Sequence, residues 1–304
     1  MKIIGITGGS GFIGRHLTAL LIRSGYRVVI FTRSVPRNPA QKQVTYAQWD
    51  IITAKCDMNA LKELDGVVHL AGAGIADKRW TEKRKKEILD SRVMGTEFLV
   101  SQLKDHAPAC KTFIAASATG FYGRDHAGAI PFTETAPPCN DFLCDTCRQW
   151  EAASQKANEF ARTVILRFGI VLGQECGAFP KLARPLSFGI MPVLGSGNQA
   201  VSWIEVDDLA RLFLFVLEHD NLSGIYNAVA PNPVTHKELM KTTAAVKGDM
   251  KIPVPVPAVL LKIILGEMSG EVLKSCTVSA QKTIDTGFIF NYPDITSAVK
   301  AICP

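Results

Sequence analysis

Thr7-Gly8-Gly9-Ser10-Gly11-Phe12-Ile13-Gly14 is the stretch that decides the fold. It follows a short apolar run, residues 2–7, that reads as a strand. It opens a segment, 12–24, in which Leu17, Leu20 and Leu21 recur at helical spacing until Gly25 stops it. In such a strand–turn–helix unit each spaced glycine has a separate task. Gly8 permits the tight turn, Gly11 lets backbone amides approach a pyrophosphate, and Gly14 lets the helix lie close on the strand. Gly9, Ser10, Phe12 and Ile13 complete the turn, and the helix N-terminus offers its amides and positive dipole end to a phosphate. A glycine triplet alone is a weak signal, but between a strand and a helix it is a strong one.

Outward from this unit the alternation continues. Residues 27–32, 43–49, 67–70 (after the Asp65-Gly66 turn), 112–116 and 163–168 read as further strands. Residues 81–103 and 146–162 read as helices between them. Apolar strands alternating with helices imply an α/β fold, a Rossmann-type doubly wound parallel sheet covered on both faces. The second half is less regular. Residues 173–199 are rich in Gly and Pro, 207–218 form a helix with Leu209, Leu212, Phe213 and Val216 inward, and 224–229 form a late strand. The proline-rich 252–257 reads as a boundary before a helical tail that ends near Ile302. The expected division is a nucleotide-binding domain over 1–248, with a substrate-side region interleaved at about 173–205, and a small C-terminal domain over 249–304.

Composition narrows the class. The 304 residues are 47% hydrophobic and 20% charged, with a net charge of +6, which excludes disordered, collagen-like and coiled-coil chains. No apolar run reaches the ~18–20 residues of a membrane span, and the N-terminus lacks a leader's apolar region and cleavage site. Eight cysteines without a leader fit a reducing compartment, so the expected location is cytoplasmic and the thiols read as small buried hydrophobes. The basic charge is dispersed and no nucleic-acid motif accompanies it, so neither nucleic acid nor membrane is an expected partner. The expected partner is a small-molecule substrate, with a homodimer left open.

Two further places bear on a dinucleotide. The second strand ends in Phe31-Thr32-Arg33, with Arg37 nearby, where a free ribose 2′-hydroxyl calls for Asp or Glu. A guanidinium there suits a 2′-phosphate instead, so the expected cofactor is NADP. Asp50, after the third strand, is a candidate acceptor for the adenine amino group. After the fourth strand, Val68-His69-Leu70-Ala71-Gly72-Ala73-Gly74 supplies small residues beside which a cofactor passes, with Leu70, Ala71 and Gly72 lining it.

Taken in order, these places resemble the extended, epimerase-like branch of the short-chain dehydrogenase/reductase superfamily. Arg92-Val93-Met94-Gly95-Thr96, Ser117-Ala118-Thr119-Gly120-Phe121-Tyr122-Gly123 and Trp203-Ile204-Glu205-Val206-Asp207-Asp208 resemble further segments of that branch. Within it the chain resembles an atypical subgroup of epimerase-family proteins, the YfcH and SDR39 type. Arg79-Trp80, Ser91-Arg92, Trp150-Glu151-Ala152-Ala153 and Arg167-Phe168-Gly169-Ile170-Val171-Leu172-Gly173 carry this likeness. So do the tail segments Ser279-Ala280-Gln281-Lys282 and Gly287-Phe288-Ile289-Phe290-Asn291-Tyr292-Pro293-Asp294. The resemblance implies an NADP site in which Thr32 and Arg33 meet the adenosine phosphate, Leu70 and Ala71 line the cofactor, and Glu87, Arg92 and Val171 touch it. Arg92, where the wider superfamily has Asn, needs a partner if buried. Glu87 and a phosphate are the two expected ones.

The superfamily's proton relay is a Tyr-x-x-x-Lys pair with a Ser or Thr. Alignment on Glu151 puts Leu143 at the Tyr position, Cys147 at the Lys position and Ala118 at the hydroxyl position. Tyr122 and Ser117 remain as catalytic candidates. The spacing of Cys144 and Cys147 carries no metal pattern, and no metal is expected. The basic run 78–86 reads as a solvated face or, through Arg79 and Trp80, as a lid over the cleft, with Trp203 and the Gly195-Ser196-Gly197 turn opposite. Lys274 and Lys282 of the tail are candidates to reach the same cleft. The expected function is oxidoreduction or epimerisation of a small substrate with NADP(H). The rival is a non-catalytic NADP-binding module that regulates a partner, in cell division for instance, as the resemblance suggests.

Overall fold

The computed structural model describes residues 1–36, 43–126, 130–175, 177–248 and 251–303. Its strands, in chain order, begin with β1 (Ile3–Thr7), β2 (Arg27–Thr32), β3 (Val44–Asp50), β4 (Lys55–Cys56), β5 (Gly66–His69), β6 (Thr112–Ala118) and β7 (Arg162–Phe168). They continue with β8 (Ile170–Leu172), β9 (Ile190–Leu194), β10 (Ala200–Val201), β11 (Trp203–Glu205), β12 (Gly224–Ala228), β13 (Val234–Thr235) and β14 (Ile252–Val256). The helices are α1 (Phe12–Arg23), α2 (Met58–Lys62), α3 (Glu82–His106), α4 (Phe142–Gln155), α5 (Ala178–Ala183) and α6 (Val206–Glu218). They end with α7 (His236–Val246), α8 (Ala258–Leu265), α9 (Ser269–Leu273), α10 (Gln281–Asp285) and α11 (Ile295–Ile302).

The main sheet has the order β12-β7-β6-β5-β1-β2-β3-β4, parallel except for the β3–β4 pair. The alternating residues of β2 explain why its apolar run is continuous. Val28 and Ile30 face Leu17 and Leu21 of α1 and Phe213 of α6, whereas Val29 and Phe31 face Leu99 and Leu103 of α3. From β1 the chain builds outward through β2 and β3, then returns to β5 on β1's other side. The carboxyl ends of β1 and β5 therefore form the topological switch point, with Thr7 opposite His69 in register.

Several sequence expectations shift. Helix α4 starts at Phe142, not 146, because the Asp141 side chain accepts from the Cys144 amide and caps it there. It gives way to a 3₁₀ turn, Lys156–Glu159, before residue 162. Helix α3 runs on to His106, and stops where Ala107 precedes Pro108. The region 173–199 holds α5 and β9. The proline-rich segment is a strand, β14, parallel to β9 with Ile252 opposite Ile190. Ile252 donates to the Gly189 carbonyl and Val256 accepts from Gly195, so these alternate residues face β9. Pro253 and Pro255 fall on the outer edge, where a missing N–H costs no ladder bond.

The tail returns across the molecule. Cys276 bridges to Val201 and Val278 to Phe132. Ser202 Oγ donates to the Cys276 carbonyl at 2.8 Å, and the Asp125 carboxylate accepts from the amide and hydroxyl of Thr277. Further on, the Asn291 and Tyr292 amides donate to the fully buried Asp208 carboxylate at 2.9 and 2.8 Å. Asn227, also fully buried, donates to the Ser279 carbonyl and accepts from the Tyr122 hydroxyl at 2.6 Å. Helices α7 and α11 close a third core around Trp203, Leu239, Met240 and Val299. Among the described residues no helix is long and apolar enough to cross a membrane.

Candidate functional site

The switch point is pinned by a chain of hydrogen bonds that sequence reasoning did not find. Thr7 Oγ1 accepts from the Leu70 and Ala71 amides at 3.2 and 3.3 Å, so its own proton goes to His69 Nδ1 at 2.6 Å. Thr96 Oγ1 spends its proton on the Arg92 carbonyl at 2.6 Å and therefore accepts from His69 Nε2 at 3.0 Å. His69 is thus neutral and fully satisfied between β1, β5 and α3. Burial, and then the charge of Arg92, pull its pKa down to about 3. The sequence signal was a polar residue ending each of two otherwise apolar strands.

On this frame sits the glycine turn. Gly8 has φ +70°, and a Cβ there would stand 2.9 Å from the Leu70 carbonyl carbon and 3.0 Å from the Ala71 amide nitrogen. A Cβ on Gly14 would lie 2.4 Å from the Gly8 carbonyl oxygen and 2.6 Å from the Gly9 Cα. One on Gly9 would meet the Ile30 side chain at 2.9 Å, and one on Gly11 the Gly8 oxygen at 3.1 Å. The turn and the loop after β5 thus touch backbone to backbone. Helix α1 starts at Phe12 with Gly11 as its cap residue and no side chain bonded to its first amides. Those amides, with Ile13 and Gly14 next in line and Ser10 exposed beside them, face the crevice.

The neighbouring positions gather around it. Thr32 ends β2, its hydroxyl turned onto the Ser34 backbone, and Arg33 is exposed beyond it. Arg37 lies outside the described residues. Asp50 is tied into its own turn by the Ile52 amide and the Thr53 hydroxyl, which hold its carboxyl below its ordinary range. Val171 lies in β8. The loop that follows it packs on the head of α1, since a Cβ on Gly173 would overlap the Phe12 ring.

Arg92 departs from expectation. Glu87 does not pair with it: Glu87 takes Arg84 at 2.7 Å, and that bond holds its carboxyl below the usual range. Arg84, itself buried, also bonds the Gly74 carbonyl and approaches Asp77 at 3.6 Å. Arg92 donates to the Ala73 and Ile88 carbonyls at 2.9 and 3.2 Å and lies over the Trp150 ring. Its guanidinium carbon is 3.2 Å from where a Cβ on Gly72 would stand. Among the described residues no carboxylate lies within ion-pairing distance of it. A half-buried cation with no carboxylate partner among the described residues, against the small-residue loop of the crevice, is placed to meet an anion.

The positions of the proton relay are apolar or inert. Leu143, Cys147 and Ala118 occupy them, and burial pushes the Cys147 thiol up to about 12. The Cys144 thiol, which donates to the Phe121 and Cys139 carbonyls, is also raised by burial. Among the described residues there is no group of three or more side chains able to hold a metal ion.

The catalytic candidates are placed in a buried cluster. Arg167 binds Glu151 through two bonds of 2.7 Å, and Ser117 donates to the same carboxylate at 2.6 Å. Tyr122 accepts from Arg167 at 2.8 Å, donates to Asn227 and stacks on Phe132. Both hydroxyls are committed, both side chains are buried, and burial pushes the Tyr122 phenol up to about 12. Neither is held ready for proton transfer at neutral pH.

The expected lid is docked. Trp80 packs edge-on against Phe142 at the head of α4 and donates to the Ile75 carbonyl, while Arg79 lies against Gly266 of the tail. Trp203 forms no wall: it is fully buried, its indole N–H bonded to the Asn232 carbonyl. The Gly195 and Gly197 turn, at φ +57° and +73°, rests on Leu273 and Lys237. Lys274 reaches Glu271 at 2.6 Å and Asp141, the cap of α4, at 3.7 Å. Lys282 instead bonds the Ile225 carbonyl on the outer strand β12.

Comparison with known proteins gives the following. The profile of the NAD dependent epimerase/dehydratase family matches residues 4–228, and that of a domain of unknown function, DUF1731, matches 256–302. The epimerase family protein YfhF of Bacillus subtilis is 38% identical over 301 residues, covering 98% of this chain and 97% of that one. The crystal structure of human epimerase family protein SDR39U1 (isoform 2) with NADPH superposes with a TM-score of 0.86 at 28% identity, over 99% of this chain and 98% of that chain. A UDP-glucuronic acid 4-epimerase from Bacillus cereus, solved with its sugar nucleotide and NAD, shares the fold at a TM-score of 0.81 and 20% identity, over 99% of this chain and 97% of that one.

Proposed function

The chain belongs to the NAD dependent epimerase/dehydratase family, and from that premise and the crevice geometry we propose that it binds NADP(H) and acts on a small substrate by oxidoreduction or epimerisation. The observation that carries the reading is the glycine turn, where a Cβ at 8 or 14 would fill backbone space that a pyrophosphate-binding loop must keep tight. The NADPH in the human relative's structure supports the same choice. In this reading the amides of Phe12, Ile13 and Gly14 bind the pyrophosphate, and Thr32 and Arg33 take the 2′-phosphate. Leu70, Ala71, Gly72 and Val171 line the dinucleotide. Arg92 meets an anionic or ribose oxygen beside Gly72, and Glu87 acts through Arg84 to set the loop after β5. When bound, the nicotinamide supplies the hydride chemistry.

The test is calorimetric titration with NADPH and NADH. Wild type is expected to prefer NADPH, and Arg33→Ala to weaken NADPH about 10- to 100-fold, roughly the ~1.4–2.7 kcal/mol of a charged contact, with NADH unchanged. If neither nucleotide binds wild type, the reading fails.

Arg92 gives a second check. Arg92→Met is expected to leave the melting temperature equal or higher, within about 1 kcal/mol, because it removes a half-buried cation that pairs with no carboxylate among the described residues. The same change is expected to lower NADPH affinity at least ~10-fold, a separation of stability from binding seen when a residue is kept for a ligand. A variant that binds NADPH as wild type does overturns that role.

A second reading has its own observation. With Leu143 and Cys147 at the relay positions and the Tyr122 and Ser117 hydroxyls committed, the protein is a nucleotide-responsive module that regulates a partner. Loss of deuterium from the nicotinamide C4 of bound labelled NADPH, in the presence of candidate carbonyl substrates, decides for the enzyme.

A further inference from the structure

On the far side of α5 from the crevice lies a cavity of about 400 Å³. Phe179 and Ala183 of α5, Val246 at the end of α7 and Ile302 at the end of α11 give it apolar walls. Phe179, Ala183 and Ile302 belong to the third core, so the cavity is a notch in the surface of that core. Lys181 shows that it is separate from the crevice. This residue is two positions from both Phe179 and Ala183, about 200° round the helix from each. It donates to the Ala76 carbonyl, in the loop after β5, at 3.2 Å. Helix α5 therefore stands between the crevice and the cavity.

The charged lining is of one sign. Arg184 and Lys247, both exposed, line the cavity, and no Asp or Glu does. Neither cation pairs with a carboxylate among the described residues. Glu175, next in the chain to the lining residue Gln174, is taken by Arg15 of α1 at 2.9 Å. Helices α7 and α11 end at the cavity, and each carbonyl end offsets about half a charge. Two cations against two such ends leave the described lining with a net positive charge of about one.

We propose that this cavity is a binding site for a small amphipathic anion, a monocarboxylate on an aliphatic body. The body lies against Phe179 and Ile302, and the carboxylate meets Arg184 and Lys247. Ligand sites of roughly 300–1,000 Å³ are mostly apolar with a few placed polar groups, and this cavity has that make-up at the small end of the range. A net charge of about one matches a single carboxylate. The carbonyl ends of α7 and α11 oppose the several charges of a polyphosphate, so a nucleotide is the wrong occupant.

Calorimetric titration of the full chain with octanoate tests this. A dissociation constant below about 1 mM is expected. Octylammonium, with the same body and the opposite charge, is expected to bind at least ~10-fold more weakly. Saturating NADPH is expected to leave the octanoate affinity unchanged. Arg184→Glu combined with Lys247→Glu is expected to weaken octanoate at least ~10-fold and, because both residues are exposed, to leave the melting temperature unchanged. A readout on wild type needs no variant. Cys303 lines the cavity and is half-buried. At ten times its dissociation constant, octanoate is expected to slow alkylation of Cys303 by N-ethylmaleimide about 10-fold, read by mass spectrometry. Cys56 of β4, also half-buried, is expected to react at its usual rate. The proposal is overturned if octanoate does not bind, binds no better than octylammonium, survives the paired glutamates or is displaced by NADPH. Binding that leaves Cys303 as reactive as before overturns it too.

Discussion

Gly14→Ala is expected to destabilise the protein by about 3 kcal/mol and to reduce NADPH affinity at least ~100-fold, although alanine is the better helix former. Helix propensity alone would favour the substitution by about 1 kcal/mol, since Gly14 lies in the first turn of α1. Sterics decide the sign. The new methyl would stand 2.4 Å from the Gly8 oxygen and 2.8 Å from the Gly9 carbonyl carbon, both backbone atoms that no rotamer change can move. Relief requires α1 to lift from β1, which carries the amides at its head away from the crevice. A thermal melt and a calorimetric titration on the same sample read both effects. A variant that melts higher than wild type and binds NADPH normally would sink the account of the turn.

Breaking the Arg167–Glu151 pair is the other large effect. Arg167 is 2% exposed and Glu151 4%, so Arg167→Met leaves an uncompensated carboxylate in the core, with only the Ser117 hydroxyl still donating to it, and removes the donor to the Tyr122 hydroxyl. The expected cost is about 3–5 kcal/mol. Arg167→Met with Glu151→Leu removes both charges, and is expected to cost less than the sum of the single changes by at least ~1 kcal/mol. Chemical denaturation of the wild type, the two single variants and the double variant closes the cycle. Additive costs would mean that the two side chains do not act as a unit. The cluster also bears on the two hydroxyls. Its hydrogen bonds commit the Tyr122 and Ser117 hydroxyls to protein partners.

What the sequence made legible was what local chemistry dictates. The glycines at 8, 11 and 14 announce their turn because almost no other residue fits there. The β-branched runs of β1, β2 and β7 announce a sheet covered on both faces. What stayed hidden depends on contacts distant in the chain. Nothing near Ile252 indicates that its partner is Ile190, so a strand looked like a boundary. Arg92 and Glu87 are five residues apart, and only the structure shows that Arg84 claims the carboxylate first. Trp203 looked like a wall because its burial comes from α7 and α11. Arg167 did leave a trace: an arginine inside an apolar strand needs a buried partner, and Glu151 supplies it.

The returning tail has a consequence for the timing of synthesis. Asp208 and Asn227 are placed by the first three-quarters of the chain, yet part of their hydrogen bonding comes from the backbone of residues 279, 291 and 292. Until those residues have emerged from the ribosome, the sheet carries polar groups that neither water nor protein serves well once they are covered. The first 228 residues are therefore expected to reach their final packing only once the returning segment is in place. A chain that stops before residue 279 is expected to stay loosely closed and open to proteases, which limited proteolysis of the truncated chain would read.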